Sequence, residues 1–420
     1  MSQHVYPDLE RWGQVLASSE YRWGYQHLSA LFRQTRAAGR DPQALYDVQA
    51  NACARLFSFQ KLRELATQAN NPVQLACANR LILLLKQIMD SVAWRVLGFD
   101  RVAVQLLAEH QQTGHLDETV LDDFQKAREL VDQEGAIVLV NDLTHVLRHG
   151  DLTIIKGDQF EVMENKSGKA SSQNRRATRQ RRQLDDLHLF LQFGVRTTPE
   201  GNEYIIKVPG PVRTYHPTLA EAIRQAKKNP DRSQQTLLSD CLAVDVWWIQ
   251  DQGPSTLEDP FPDVALSVTF SNLHILDKPT VGLAPYGIFP FDEEACFGLI
   301  TRHLVVRTYL NLESLGARYR QQGLSLELAH PNEEERKRYL SAPIAERKQM
   351  NSDYGFIVRD EFGARHFPID HFSPLALEFW QEGTLIEADR QLLQLDRSLH
   401  LSSENTGFYV GFKDEKNIWR

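Results

Sequence analysis

The chain of 420 residues has only four cysteines, Cys53, Cys77, Cys241 and Cys296, and no two of them form a Cys-x-x-Cys pair. That spacing argues against a thiolate zinc site or a disulfide framework and predicts reduced thiols in a cytosolic setting. Long apolar runs are also missing. The longest, Leu81 to Leu85, is far too short to span a bilayer. The N-terminus has no basic-then-apolar signal pattern, so the expectation is a soluble, cytoplasmic protein with no membrane partner. There is no glycine-rich phosphate-cradling loop and no G-x-S-x-G elbow, which argues against ATP-driven translocation and serine-esterase chemistry. Basic charge is in deficit overall: 47 Lys and Arg against 55 Asp and Glu give a formal net charge of −8. Indiscriminate coating of nucleic acid normally needs a basic domain, but a local basic groove is still allowed. Internal repeats and low-complexity segments are absent. With 42% hydrophobic and 24% charged residues, the composition is that of a globular protein of two or three domains.

Against this acidic background one stretch stands out, Gly150 to Leu191. Asp151 to Ile155 and Phe160 to Glu164 are short apolar or β-branched runs flanking the turn-like Lys156 to Gln159. Strand-length runs around a Gly-Asp pair predict a β-hairpin. Asp151 opens the first strand. Glu164 and Lys166, separated by Asn165, fall on one sheet face by the period-2 rule. Two carboxylates and an amine would then meet at one end of the hairpin. Between Lys166 and Arg182 there follow seven Lys or Arg and no acid. The grouping suits metal-assisted phosphodiester hydrolysis. Asp151 and Glu164 are hard oxygen ligands for Mg²⁺, which takes one or two carboxylates and keeps room for waters and a phosphate. Lys166 could orient the attacking water or steady developing charge.

Asp151, then Glu164-x-Lys166 after a hairpin, then a helix carrying Arg179-Gln180 and Arg182-Gln183, resembles the PD-(D/E)XK nuclease superfamily, over residues 118 to 210. The sequence departs from that pattern in having no proline before Asp151 and in placing Asn165 where an apolar residue is more usual. The resemblance implies a restriction-endonuclease-like fold, with Asp151 and Glu164 as metal-binding carboxylates and Lys166 as the catalytic lysine. It also implies Asn165 as a further ligand through its carbonyl. Some subfamilies add a glutamine on the following helix, for which Gln180 and Gln183 both qualify. A carboxylate on the first helix sometimes joins such sites; Glu129 and Glu134 are the candidates. The implied cofactor is Mg²⁺, with Mn²⁺ able to substitute. The implied partner is DNA, gripped through phosphate by Lys169, Arg175, Arg176 and Arg179. Arginine forks suit bidentate phosphate contacts that position a backbone without reading its sequence.

Elsewhere the pattern gives elements without chemistry. Residues 1–115 read as a helical region, with helices over 21–36, 47–69, 72–97 and 100–110, and Trp12, Trp23 and Trp94 as packing residues. Residues 116–252 read as the nuclease core. Its helix over 118–134 is closed by Gly135, followed by a buried strand at 136–140, the hairpin, a basic helix over 171–191 capped by Ser171 or Ser172, a strand at 203–208, a helix at 218–228 and a strand at 240–249. Residues 253–420 read as a mixed α/β domain of unassigned role. It has strands near 265–270, 281–283 and 408–412, and helices near 297–310, 333–338 and 374–380. His366, Asp370 and His371 form the only dense His/Asp group outside the core and read as a packed loop. The fold expectation is α/β in the mixed α+β sense. The functional expectation is a metal-dependent deoxyribonuclease of DNA repair or of defence against foreign DNA, as a homodimer or with a partner protein encoded beside it. The competing expectation is a non-catalytic nucleic-acid-binding or protein-interaction module on the same fold. RNA as substrate has no motif in its favour.

Overall fold

A computed structural model describes residues 9–108, 119–157, 159–165, 186–187, 189–198, 201–229, 232–249, 258–275, 283–330, 332–351, 354–399 and 406–412. The architecture is mixed α/β. The chain divides into two compact units: residues 1–99, 103–187 and 285–288 form the first, and 100–102, 188–284 and 289–420 the second. The divisions expected at 115 and 252 do not coincide with these units. The N-terminal helices and the hairpin belong to one unit, because the helices pack directly on the hairpin's sheet. Among the described residues no helix is long and apolar enough to cross a membrane.

In the first unit, α1 (Leu9–Ala17), α2 (Ser19–Ala38), α3 (Pro42–Gln68) and α4 (Pro72–Val96) pack on one another. Their starts obey capping chemistry. The side chains of Ser18, Asp41 and Asn71 accept from the backbone N–H of Tyr21, Ala44 and Gln74, and proline follows the cap in α3 and α4. Residues 103–107 belong to a short helix, α5 (Arg101–Leu107). Next comes α6 (Val120–Glu134), closed by Gly135 in the left-handed conformation. Phe124, Ala127, Leu130 and Val131 give α6 its buried face, at helical spacing. That face lies on β1 (Ile137–Val140), every residue of which is buried. β1 pairs antiparallel with β2 (Leu152–Lys156), and β2 pairs antiparallel with β3 (Gln159–Met163). The expected hairpin is present, its register running Leu152↔Met163 to Lys156↔Gln159.

α3 also packs on β1, and it contributes more than apolar surface. The buried Gln49 side chain donates to Val138 O at 2.7 Å and accepts from Val140 N–H at 2.8 Å. A side-chain amide thus does for Val138 O and Val140 N–H what a neighbouring strand would do.

Among the described residues the second unit holds three sheets. β4 (Val195–Thr198) and β5 (Gly201–Val208) form a hairpin, and β13 (Thr406–Phe412) lies parallel to β5 at the far edge. β6 (Gln234–Leu237), β7 (Leu242–Trp248), β9 (Leu304–Asn311) and β8 (Ser267–Ser271) form an antiparallel sheet in that spatial order. β10 (Ser325–Ala329), β11 (Gly355–Arg359) and β12 (Ala364–Phe367) form a meander. Tyr319, Phe356, Phe372, Leu375 and Trp380 anchor one shared apolar core. Two expectations need correction or placement. The helix expected at 297–310 ends at Thr301; Arg302 adopts the left-handed conformation, and Leu304–Asn311 continues as a strand, as its β-branched content favours. Residues 281–282 of the expected strand at 281–283 lie outside the described residues, as does most of the expected basic helix.

A candidate acidic site at the end of the hairpin sheet

The chain leaves β1 at Val140, makes one short 3₁₀ turn (Asn141–Leu143), and returns through residues 144–150 into β2. Asn141 fixes this return. Its backbone N–H donates to Asp151 O at 3.0 Å, its side-chain amide donates to His149 O at 2.7 Å and Gly150 O at 3.2 Å, and it accepts from Thr153 Oγ1 at 2.8 Å. Gly150 has φ +66°, and a Cβ there would lie 2.6 Å from Val162 Cγ1 and 2.9 Å from Met163 O. Only glycine fits both that conformation and that contact. The residue delivered by this turn is Asp151, whose N–H donates to Met163 O at 2.9 Å.

Asp151 stands beside the end of β3, where Glu164 and Asn165 follow directly. Asn165 bridges two carboxylates. Its backbone N–H donates to Asp151 Oδ2 at 2.6 Å, and its side-chain amide donates to Asp123 Oδ1 at 2.8 Å. Asp123 comes from the first turn of α6 and is only 8% exposed. Burial pushes its carboxyl up to about 6; the neighbouring charges of Asp151, Asp142 and Asp122 push the same way, against the Asn165 hydrogen bond. Lys86 of α4 is buried nearby. Desolvation lowers its pKa, while Asp142 and Asp90 favour its charged form.

Of the residues expected at the site, Asp151 and Asn165 are joined at this sheet end, and Glu164 lies between β3, which stops at Met163, and Asn165. Lys166, Lys169, Arg175, Arg176, Arg179, Gln180 and Gln183 lie outside the described residues. The first-helix carboxylate at the site is Asp123, not Glu129 or Glu134. Glu129 pairs with Lys126 at 3.0 Å, and Glu134 pairs with Lys156 at 2.5 Å. Asp122 and Asp123 look alike in sequence, and only the packing of Phe124 and Ala127 turns Asp123 inward. The His/Asp group near 370 is a packed arrangement: His371 stacks on Phe367 with ring centroids 4.0 Å apart, and its Nε2 lies 2.9 Å from the buried Asp389.

Among the described residues no three or more His, Cys, Asp or Glu gather as a group able to hold a metal ion. A Mg²⁺-type cation asks for less than that, one or two carboxylates with water completing the shell. Asp123 and Asp151 fit this requirement. They are hard oxygen donors tied through one asparagine, and the charges acting on Asp123 are those of other acids. No family model, no curated protein and no solved structure matches the chain.

Proposed function

We propose that the chain is a Mg²⁺-dependent nuclease that hydrolyses phosphodiester bonds in DNA, with a restriction-endonuclease-like core formed by α6, β1, β2, β3 and the basic segment after them. The observation that carries the reading is the Asp123–Asn165–Asp151 bridge at the end of the hairpin, immediately before a run of seven cationic residues. A bound cation would polarise the phosphate and neutralise charge developing on it, with Mn²⁺ able to substitute. Asp151 and Asp123 would hold it, with Glu164 beside them. Asn165 keeps the two carboxylates at a fixed separation through its own N–H and amide donors. Lys166, one residue on, would orient the attacking water or steady the departing charge. Lys169, Arg175, Arg176 and Arg179 would hold the strand by its phosphates, and Gln180 or Gln183 would assist. The setting we assign is DNA repair or defence against foreign DNA.

A second reading, a binding module without catalysis, has one observation in its favour: Asn165 already donates a hydrogen bond to each carboxylate, as a purely structural link would. Cleavage of linear, circular and single-stranded DNA with Mg²⁺ or Mn²⁺ separates the two. The nuclease reading predicts cleavage that Glu164→Ala and Lys166→Ala abolish while folding and DNA binding persist. Cleavage unchanged in both variants would remove the assigned site, and DNA binding without cleavage by the wild type would favour the module.

A further inference from the structure

The acidic site is reached from the hairpin, yet the segment that delivers Asp151 is gripped from elsewhere. Asp90, on α4 and 5% exposed, accepts three hydrogen bonds from this segment. They come from His145 N–H at 2.6 Å, His145 Nδ1 at 2.9 Å and Val146 N–H at 3.3 Å. His145 is itself buried. A buried carboxylate that receives two backbone donors and a ring donor forms charge-assisted bonds, which hold geometry more tightly than neutral ones. From residues 145–146 the fixed path is short. Thr144 Oγ1 accepts from Leu147 N–H at 2.9 Å, Arg148 N–H donates to Leu107 O at 2.9 Å, and Asn141 holds His149 O and Gly150 O. The next residue is Asp151. Asp90 thus holds the first half of the return, and the bonds to Leu107 and Asn141 hold the second half, which runs directly into Asp151.

We infer that Asp90 is a positioning residue of the candidate nuclease site, setting the placement of Asp151 through residues 144–150 and making α4 a working part of the site. The inference rests on the nuclease reading. Groups bonded directly to metal ligands commonly change metal affinity or activity by roughly 10–100-fold when substituted, and Asp90, acting through residues 144–150, belongs at the low end of that range.

The test uses the full chain, with Mn²⁺ alone as the probe in a spectroscopic titration and steady-state DNA cleavage alongside. Asp90→Asn keeps the shape but loses the charge and presents an amide to three donors. His145→Ala removes one of the three donors and keeps the two backbone bonds. Leu28→Ala, at a fully buried position in α2, serves as a matched loss of stability away from the path. The expected result is Mn²⁺ affinity and kcat lowered about tenfold or more in Asp90→Asn, lowered less in His145→Ala, and unchanged in Leu28→Ala, with KM for DNA constant throughout. If Asp90→Asn and His145→Ala lose thermal stability as Leu28→Ala does, but bind Mn²⁺ and turn over like the wild type, Asp90 is merely structural. A wild type that neither binds Mn²⁺ nor cleaves overturns the nuclease reading itself, and this inference with it.

Discussion

A carboxylate buried among other carboxylates is a cost to the fold, and Asp123 is such a residue. With its carboxyl pushed up to about 6, the folded state holds a proton that the unfolded chain has already released from pH 4 upward. Stability therefore falls as pH rises through that window, and above it the ionised group costs roughly 3 kcal/mol. Asp123→Asn keeps an acceptor for the Asn165 amide and removes the charge. In metal-free buffer the variant is expected to be more stable than wild type by about 3 kcal/mol at pH 7.5 and equal to it at pH 4. Urea unfolding at the two pH values checks this; a difference that does not change with pH would contradict the account. Asp151 was legible in the sequence because it opens an apolar, β-branched run directly after a glycine. Asp123 was not, because its role depends on which side of α6 faces β1, and Asp90 lies 55 residues from the backbone it holds.

At the scale of elements, the hairpin could be read directly: two strand-length apolar or β-branched runs flank a glycine turn, and Leu152–Lys156 and Gln159–Met163 are both strands. The helix stop at Gly135 was equally plain. Leu304–Asn311 was not separated from the helix before it, because the helix ends at Arg302, a residue that gives no stop signal by type. The fate of β1's open edge was invisible for a different reason. Gln49 is one polar residue inside a long helix, and nothing local marks it as a partner for Val138 and Val140, about 90 residues away. Gln49→Ala leaves a buried N–H and a buried carbonyl unpaired, so it is expected to destabilise the chain by about 2–4 kcal/mol. Gln49→Glu, which replaces the donor by an acceptor facing Val138 O, should do no better. Denaturant unfolding checks both, and a loss below about 0.5 kcal/mol in Gln49→Ala would show that water or a shifted strand satisfies the edge.

At the scale of the whole molecule, the second unit carries its own internal ties between distant parts of the chain. Arg101 and Glu378 form a buried bidentate pair at 2.9 and 2.5 Å, and Glu378 also accepts from Ala284 N–H and Trp380 Nε1. Beside them His216, whose Nε2 lies 2.9 Å from Glu378 O, sits among Phe289, Phe291 and Phe379. Burial lowers its pKa to about 4. The folded state therefore refuses a proton that the unfolded chain accepts, so its contribution is complete above pH 6.5 and is lost as pH falls toward 4. The cost by pH 4 is on the order of 2–3 kcal/mol. His216→Gln should flatten the acid side of the stability profile by about one proton; an unchanged slope would contradict the assignment. Asp123 acts in the opposite sense over nearly the same window, so single variants, not the wild-type profile, separate the two.

The claim at the centre is that Asp123 and Asp151 together hold a cation that cuts DNA. The measurement that meets it most directly is cleavage of circular DNA titrated with Mg²⁺, for wild type, Asp151→Asn and Asp123→Asn. The account predicts saturable, EDTA-sensitive cleavage by wild type, reduced at least about a hundredfold in Asp151→Asn and shifted to higher Mg²⁺ in Asp123→Asn. Cleavage by all three at the same Mg²⁺ concentration and the same rate, or by none, would contradict it.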